Sequence, residues 1–592
     1  MAESYFDTEE ITKEYDTLLF KRILSYLKPY KILAVITLLA LGISTLGELF
    51  IPVLIQRIID NGLLQKNISF LFQGCLFYFI ILSCVFCFSF VQTWTANLIT
   101  QRVMKDMRIG LFKKTLSQST GYLSRHPVGR IVTRLTSDVQ TMDEFFTTVL
   151  VAFMKDIAIM AGTLVTLFIL SPQLAVMVLI TLPPVLVITL ISRVKARDAF
   201  RKQRTASSKV FAYLAERLAG MQVVQLFRQE KKSLSEFKEN NQELLNANLG
   251  EMYVFATFRP MVEWFSTLTM AVVIVAGSNM MLSVSISLGT LIAFINLVQM
   301  LFQPLTDIAE KYTMLQSAMA GAEKVFNLLD TEEQIPDKGI HQFNENNKEN
   351  ISGHIEFDNV HFSYKEGEEV LKGLSFSVKP GQMAAIVGYT GAGKTTIFNV
   401  LTRLWDINSG EIRIDGIPVK DISIDQLRTS IMPVTQDVTL FSGTISENIT
   451  LGLNIPQEEI IEAAKAVHAH EFICGLKDGY DTVLSERAAN ISTGQRQLIS
   501  FARVIAHNPQ VVILDEATSS VDTETERLIQ LGMKKVLTGR TSFVIAHRLS
   551  TIKDAAVIFV LSNGRLVEEG RHEELVSQNG IYTGLYRLQY ED

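Results

Sequence analysis

Long apolar stretches dominate the first half of the chain. Residues 67–101, 157–192 and 264–306 each contain no charged side chain. A membrane-spanning helix needs about 20 consecutive apolar residues, so each stretch is longer than a single span. The pattern predicts that the first half of the chain is embedded in a membrane.

Breaks in the apolar pattern divide these stretches into helices. The segments Ser171–Gln173 and Ser283–Gly289 carry small polar residues with a proline or a glycine, which favour a turn. The second and third stretches therefore each predict a helical hairpin with a very short outer loop. Together with Ile32–Gln56 and Ser69–Ile99, the two hairpins give six predicted spans.

Basic residues set the predicted orientation. The segments after the second and fourth spans are rich in lysine and arginine and helical in pattern, whereas the opposite loops offer only Arg57 and Lys66. Because basic loops stay in the cytosol, we expect both termini to be cytoplasmic. The expected location of the protein is the plasma (cell inner) membrane. The amphipathic segment Asp16–Tyr30 is expected to lie along the interface before the first span. The basic residues are Arg102, Lys105, Arg108, Lys113, Lys114, Arg125, Arg130 and Arg134, then Arg193, Lys195, Arg197, Arg201, Lys202 and Arg204.

Five ionisable residues lie within or near the predicted spans: Glu48, Lys155, Asp156, Glu263 and Asp307. A charge in this setting is costly and tends to face a cavity or an ionic partner. Glu48, Glu263 and Asp307 are therefore candidates for a substrate cavity. The alternative is that such residues lie at the lipid boundary or pair structurally, as the adjacent Lys155 and Asp156 could.

The composition changes after Asp330. Residues 331–352 are polar and aperiodic, which predicts a linker. From Gly353 onward, short apolar runs alternate with helical patterns, as in an α/β domain. The chain is therefore predicted to be multidomain: an all-α transmembrane domain of six helices with long cytoplasmic extensions over 1–330, then an α/β domain over 353–592.

A phosphate-binding loop follows the buried-strand pattern Met383–Val387. The next eight residues, GYTGAGKT, match G-x-x-x-x-G-K-[ST] between a strand and a helix. The glycines let backbone amides curl around phosphate oxygens, Lys394 reaches the β- and γ-phosphates, and Thr395 can ligate magnesium. The α/β domain is thus predicted to be a P-loop nucleotide-binding domain whose ATP contacts include Gly388, Gly391, Gly393, Lys394, Thr395 and Thr396.

A second motif completes the phosphate chemistry. In Val511–Glu516, four apolar residues make a buried strand that brings Asp515 to its carboxyl end, where magnesium can be held through water. Glu516 is then placed to polarise or deprotonate an attacking water.

The segment Asn490–Val504 begins like a loop and continues like a helix. Ser492 and Gln495 have the spacing of a capping box, and apolar residues then recur at helical spacing. If this helix start approaches a nucleotide, Thr493 adds bulk where close backbone approach would favour glycine.

Composition narrows the choice of partner. The formal net charge is −6, so nucleic acid is a poor candidate. Four cysteines in 592 residues do not make a disulfide framework, and the acidic, polar N-terminus is unlike a cleavable signal peptide.

Together these residues resemble the ATP-binding cassette (ABC) transporters, specifically the exporter type that fuses six spans to one cassette. The resemblance covers nearly the whole chain, in the family's order. It implies that Arg125–Val139 and Leu214–Glu230 are the two cytoplasmic coupling regions and that Glu486 touches them. It also implies that Tyr364 stacks on adenine and that Gln436 contacts magnesium and senses the γ-phosphate. Asp515 would hold the metal and Glu516 would be the catalytic base. Asp522 would lie in the loop that crosses the dimer interface, and His547 would be the switch histidine.

The same resemblance implies a partner chain. In this family two cassettes pack head to tail, and each ATP lies between the phosphate loop of one and the signature of the other. The usual signature L-S-G-G-Q reads Ile491-Ser-Thr-Gly-Gln here. With the P-loop, Asp515 and Glu516 intact, we expect one side of a heterodimer with one competent and one degenerate ATP site; a homodimer that tolerates threonine is the alternative. Ser492, Thr493, Gly494 and Gln495 would contact the partner's nucleotide in trans.

The implied function is ATP-driven export of an amphipathic or hydrophobic substrate, a drug, lipid or peptide, out of the cytosol. ATP and magnesium are the implied cofactors. Two rivals stay open: import on the exporter architecture, and an ATP-gated channel or regulator that does not transport. The spans are rich in Phe and Met, which suits flexible substrate binding and lipid-facing packing equally well.

Overall fold

A computed structural model describes residues 17–283, 285–337, 339, 351–365, 367–515, 523–545 and 552–590. The chain divides into two compact units. The first contains the residues up to Leu116 together with Val128–Thr331. The second contains Ser117–Pro127 together with the residues from Glu332 onward, so a short segment from the N-terminal half belongs to the C-terminal unit.

Helices build the described part of the first unit, and six of them are long and apolar enough to cross a membrane, as the sequence predicts. Both predicted breaks are confirmed, because helices end at Leu170 and Leu282 and the next ones begin at Pro172 and Leu288. The helices are α1 (Thr17–Ser25), α2 (Lys31–Arg57), α3 (Ile68–Leu116), α4 (Thr120–Arg125, in the second unit), α5 (Val128–Thr133), α6 (Val139–Glu144), α7 (Val151–Leu170), α8 (Pro172–Ala219), α9 (Met221–Leu226), α10 (Glu230–Leu282) and α11 (Leu288–Asp330). Short 3₁₀ or π-helical turns occupy Lys28–Tyr30, Ile58–Leu63, Arg134–Asp138 and Phe145–Leu150.

The start of α11 forms the core of the first unit. Phe294, Leu297, Val298 and Leu301 recur at helical spacing and are fully buried. By contrast, many apolar side chains in the first half of α3, such as Phe72, Phe79 and Phe86, are exposed, as expected for a surface that faces lipid.

Helix α1 is tied to the last helix of the same unit. The guanidinium of Arg22 donates to the carboxylate of Asp330 at 2.5 Å and lies 4.3 Å from the ring centroid of Phe326. Ile23, on the same short helix, is fully buried. The amphipathic pattern thus packs its apolar side against protein, while its predicted position along a membrane interface stays a prediction.

The ionisable residues of the first unit pair between helices. Lys155 on α7 donates to Glu48 on α2 at 2.8 Å, and Asp156 accepts a short hydrogen bond from Lys311 on α11. Lys155 and Asp156 therefore both pair structurally, but each with a residue of another helix and not with one another. Neighbouring residues on a helix point about 100° apart, so the two charges reach different helices.

The second unit is built around three sheets. The strands are β1 (Ile355–Ser363), β2 (Glu369–Val378), β3 (Met383–Gly388), β4 (Ser409–Ile414), β5 (Ile417–Pro418), β6 (Ile431–Val434), β7 (Gly443–Thr444), β8 (Val483–Leu484), β9 (Val511–Asp515), β10 (Thr541–Ile545), β11 (Val557–Ser562) and β12 (Arg565–Gly570). The largest sheet has the order β12-β11-β3-β10-β9-β6, with every pair parallel except β11 and β12. An antiparallel sheet, β2-β1-β4-β5, and the small pair β7-β8 complete the set.

Alternating residues of the largest sheet enter two different cores. In β3, Ala384 and Ile386 pack with the antiparallel sheet, whereas Ala385 and Val387 pack on the opposite side. Each core is completed by helices of the unit: α12 (Lys394–Leu401), α13 (Ile424–Ser430), α14 (Ile445–Thr450), α15 (Gln457–Ala466), α16 (His470–Cys474), α17 (Thr493–His507), α18 (Thr523–Leu537), and two further helices, His572–Ser577 and Ile581–Tyr590.

Candidate nucleotide-binding site

The predicted phosphate loop connects β3 to α12. Gly391 and Gly393 adopt φ values of +83° and +99°, in the left-handed region that residues with a side chain rarely adopt. Gly393 is the N-cap of α12, so the following backbone amides point out of the helix start toward the loop. A helix N-terminus below a glycine-rich turn is suited to binding phosphate oxygens.

Lys394, the first residue of α12, lies across the base of this loop. Its ammonium donates to the carbonyl of Tyr389 at 3.1 Å and to the carbonyl of Gly388 at a shorter distance. Burial lowers the pKa of Lys394 from its ordinary value, and the negative charge of Asp515 acts in the opposite direction. Lys394 and Asp515 therefore lie close enough to interact electrostatically.

The sheet order explains why Lys394 and Asp515 are near each other. Strand β10 lies between β3 and β9, and all three run parallel, so their carboxyl ends share one edge. Strand β6 is the next neighbour of β9, and the exposed Gln436 comes two residues after its end. The P-loop, Asp515 and Gln436 thus lie along one edge of the sheet, where parallel α/β folds bind ligands.

The residues at this edge fit a magnesium–nucleotide complex. Thr395 is exposed at the start of α12, and Asp515 offers a partly exposed carboxylate. Among the described residues there is no group of three or more His, Cys, Asp or Glu side chains that could hold a metal ion. Magnesium beside a nucleotide needs only one or two carboxylates, because phosphates and waters supply its other ligands.

Tyr364, the predicted adenine platform, lies just beyond β1 and is 38% exposed. Its hydroxyl donates to Thr396 at 3.2 Å and accepts from the amide of Asn399 at 2.9 Å. The ring meets Trp405 edge to face at 4.9 Å between centroids. Asn399 and Trp405 were not identified from the sequence, since neither belongs to a motif.

The predicted capping box at the start of α17 is confirmed. The amide of Gln495 donates to the Ser492 hydroxyl at 3.2 Å, and the amide of Ser492 donates to the Gln495 side chain at 3.0 Å. Gly494 is buried, whereas Thr493 is exposed at the helix start. The Thr493 hydroxyl accepts from the guanidinium of Arg496 at 2.9 Å, which fixes the orientation of the side chain.

Three predicted residues, Glu516, Asp522 and His547, lie outside the described residues. The backbone of Asp307 lies in α11, and its side chain is likewise outside the described set. Glu263 is exposed on α10. Glu48 is held by Lys155 as described above, and the role of these three acids in a substrate cavity stays a prediction.

Helix α4, which ends where the first predicted coupling region begins, packs within the C-terminal unit, whereas Val128–Val139 of that predicted region belong to the first unit. Gly121 on α4 lies against the indole of Trp405, since a Cβ built at Gly121 would be 2.9 Å from Cζ3. The backbone amide of Ser119 donates to the carbonyl of Glu333 at 2.8 Å, and Arg125 pairs with the Glu333 carboxylate. Short-range sequence patterns gave no signal for these contacts.

Comparisons with known proteins support a transmembrane region in the first unit and an ATP-binding domain in the second. The family model of the ABC transporter transmembrane region matches residues 33–305, and the ABC transporter model matches residues 371–519. An uncharacterized ABC transporter ATP-binding protein of Bacillus subtilis is 38% identical over 99% of this chain and 97% of its own length.

Two further relatives carry more specific names. A fatty acid ABC transporter ATP-binding/permease protein of Mycobacterium bovis is 36% identical over 84% of this chain and 78% of its own length. An ATP-dependent lipid A-core flippase of Syntrophus aciditrophicus is 32% identical over 97% and 95%. The chain therefore belongs to the ABC transporter family, as an exporter-type protein that fuses a transmembrane region to an ATP-binding cassette and couples ATP hydrolysis to transport.

Proposed function

We propose that this chain is one half of a heterodimeric exporter in which its own phosphate loop belongs to the competent ATP site. The observation that carries the proposal is a contrast within one cassette. Lys394 and Asp515 lie along one edge of the sheet beside the phosphate loop, whereas Thr493 is exposed at the start of the signature helix. The first feature serves the chain's own nucleotide, and the second serves the nucleotide of a partner.

In this proposal Lys394 and the amides of the P-loop hold the β- and γ-phosphates, and Tyr364 supports the adenine. Magnesium, held by Thr395, Asp515 and Gln436, would neutralise charge that develops on the phosphates. Glu516 would orient and deprotonate the attacking water, and His547 would contact the γ-phosphate from the next strand end. Asp522 would lie at the dimer interface.

The signature loop would complete the partner's site. Ser492 and Gln495 keep the helix start capped, so the amides needed for phosphate contact stay in place. Thr493 adds a β-branched side chain at that surface, held by Arg496. We expect this bulk to slow turnover in the partner's site while the site still binds ATP.

An exposed apolar tip supports the need for a second chain. Helix α9, in the second predicted coupling region, leaves Val223, Leu226 and Phe227 at 58%, 79% and 70% exposure. An apolar cluster of this kind at a cytoplasmic tip favours a protein partner. We assign the partner chain's cassette as its occupant.

The domain bounds that fit this function are a transmembrane domain over 1–330, a linker over 331–352 and a cassette over 353–592. The excess of basic residues after the second and fourth spans supports cytoplasmic termini and a plasma (cell inner) membrane location. Insertion in that membrane would place the cassettes where cytosolic ATP reaches them.

For the substrate we propose an amphipathic molecule, with lipids tested before drugs and peptides. Two relatives are named for fatty acid and lipid A-core, both of which combine acyl chains with a charged or polar head. Glu263, Asp307 and Glu48 are the acids that would line the cavity. Accumulation of a labelled lipid in inside-out vesicles on ATP addition supports export; ATP-driven release indicates import, and passive conductance indicates a channel.

The test of the heterodimer compares the chain purified alone with the chain purified together with an exporter half-transporter from the same genome. We expect the single chain to hydrolyse ATP slowly. Thr493→Gly should raise the heterodimer's rate, by no more than about twofold, because removing the bulk adds at most a second working site. A single chain with two active sites at full rate would establish the homodimer instead.

A further inference from the structure

An aromatic contact chain joins the proposed adenine platform to a segment from the N-terminal half. Tyr364 meets Trp405 edge to face, with 4.9 Å between ring centroids and 88° between planes. The other end of the indole contacts Gly121 on α4, where Cζ3 and Cη2 would lie 2.9 and 3.0 Å from an added Cβ. One side chain therefore touches both the platform and α4.

The contacts around Trp405 leave it little freedom. Its backbone amide donates to the carbonyl of Asn399 at 3.2 Å, and the side-chain amide of Asn399 donates to the Tyr364 hydroxyl at 2.9 Å. Phe362 meets the same indole at 6.0 Å and the Tyr364 ring at 4.8 Å. Tyr364 and Trp405 are thus linked both through their rings and through Asn399.

Helix α4 is also held firmly. Ser119 caps it by accepting from the amide of Tyr122 at 3.1 Å, and Tyr122 is almost fully buried, with its ring stacked on His126 at 4.1 Å. Arg125 pairs with Glu333, and the Gln334 side chain donates to Ser117 at 2.8 Å. Helix α4 follows the end of the long helix α3 after three residues, so it is connected in sequence to a predicted membrane span.

We propose that Trp405 is a positioning residue through which α4 sets the orientation of Tyr364, and with it the affinity for adenine. A shift of α4 moves the indole, because Gly121 leaves no space between helix and ring. Because the indole contacts the Tyr364 ring edge to face, movement of the indole shifts the Tyr364 ring. The proposal rests on the proposed function to the extent that Tyr364 supports the adenine.

The first experiment separates the base from the phosphates. Binding of MgATP and of magnesium tripolyphosphate, which lacks base and ribose, is measured on the full-length protein in detergent. We expect Trp405→Ala to weaken ATP binding about two- to tenfold, the scale of one aromatic pair, and to leave tripolyphosphate binding unchanged. Trp264→Ala on α10 is the matched control, with no effect on either ligand. Weakening of both ligands alike by Trp405→Ala would mean only damaged folding and overturn the proposal.

The second experiment tests the link to α4. Gly121→Ala adds a methyl group against the indole, whereas Gly250→Ala on α10 places one where no described atom lies within 4 Å. We expect Gly121→Ala to change ATP affinity in the wild-type background but not in Trp405→Phe, whose smaller ring can still meet Tyr364 but falls short of Gly121. Gly250→Ala should have no effect in either background. Equal effects of Gly121→Ala in both backgrounds would show that Trp405 transmits nothing.

A third variant, Tyr364→Ala, distinguishes the assignment of the adenine platform from the positioning role of Trp405. If Tyr364→Ala leaves ATP affinity unchanged, the adenine platform itself is wrongly assigned. If Tyr364→Ala weakens ATP but Trp405→Ala does not, the platform stands and the positioning role of Trp405 fails. Trp405 fluorescence in a Trp94→Phe/Trp264→Phe background supplies a direct readout, since the chain has three tryptophans. We expect its emission to change on ATP addition and not on tripolyphosphate addition.

Discussion

The ammonium of Lys155 lies 2.8 Å from a carboxylate oxygen of Glu48 and ties α7 to α2 within the membrane half. The next residue, Asp156, pairs with Lys311 on α11 instead. Two consecutive residues thus connect α7 to two different helices, and the four charges cancel. Neutralised pairs of this kind lower the cost of placing charge among membrane helices.

We expect Lys155→Met to destabilise the membrane half by about 1–3 kcal/mol, between the values for exposed and buried ion pairs, because Glu48 is left without its partner. The charge swap Glu48→Lys/Lys155→Glu should recover most of that loss. The measurement is the thermal unfolding midpoint in detergent, with Glu263→Gln at an exposed position as the control. A swap no better than the single variant would show that the pair contributes nothing.

Lys394 should be essential for nucleotide binding. Replacing it by Ala removes a charged donor at the phosphates, and we expect ATP affinity to fall about ten- to a hundredfold. Lys394→Arg keeps the charge but not the compact ammonium, and should bind better than Lys394→Ala while hydrolysing poorly. Equilibrium binding of a fluorescent ATP analogue measures both. Unchanged affinity in Lys394→Ala would remove the phosphate loop from the proposed site.

Glu516→Gln should trap nucleotide without hydrolysis. An amide cannot accept the proton of the attacking water, so the proposed heterodimer is expected to retain ATP and to lose steady-state turnover by at least about a hundredfold. Retention of radiolabelled ATP after rapid filtration measures the trapped state. Full turnover with the native partner would exclude Glu516 as the base.

Stability of the cassette should fall in mild acid. His507 lies at the end of α17 with Nε2 3.2 Å from the Ile449 carbonyl. Burial lowers the pKa of His507 below its ordinary value of 6.5, against the opposing effect of hydrogen bonds to the backbone of Ile449 and Thr450, and the positive charge of Arg503 adds to the lowering. Below about pH 6.5 the unfolded chain therefore binds a proton that the folded cassette resists, and the free energy of unfolding decreases as pH falls through this window.

The thermal midpoint at pH 7.5 and at pH 5.5, followed by Trp405 fluorescence in the single-tryptophan background, tests this. His507→Gln keeps a donor for the Ile449 carbonyl and should show a smaller drop between the two pH values. Burial also lowers the pKa of His572, which supplies an independent contribution of the same sign. An equal drop in wild type and His507→Gln would assign the acid sensitivity elsewhere.

The carboxylate of Asp415 should be important for folding of the cassette. It accepts from the backbone amides of Ser352, Gly353 and His354 at 2.7, 3.3 and 2.8 Å, and from the Ser352 hydroxyl. We expect Asp415→Ala to lower the free energy of unfolding by about 1–3 kcal/mol, since charge-assisted bonds to several amides are lost. Asp415→Asn keeps an acceptor and should lose less. Asp478→Ala, at an exposed position, is the control in the same chemical denaturation experiment.

Much of the fold could be predicted because its signals are local. Charge-free stretches and their breaks at Ser171 and Ser283 gave the six helices, and the capping box gave the start of α17. The phosphate loop is readable for the same reason, since its glycine spacing encodes backbone shape within eight residues.

The remaining features depend on contacts between residues far apart in the chain. Whether Lys155 pairs with Asp156 or with Glu48 is decided by which helix packs beside α7, and the apolar pattern does not specify that neighbour. Trp405 carries no motif, because its importance comes from Gly121, which lies 284 positions earlier in the chain. No local pattern in a single sequence indicates a contact between residues so far apart.

Because α4 packs against Trp405 inside the C-terminal unit, truncation at a single residue cannot separate the complete C-terminal unit from the transmembrane region. A cassette expressed from residue 353 onward would leave the Gly121-facing side of the indole bare to solvent. Such a fragment would lack the helix that supports Trp405, and its nucleotide affinities should differ from those of the intact exporter.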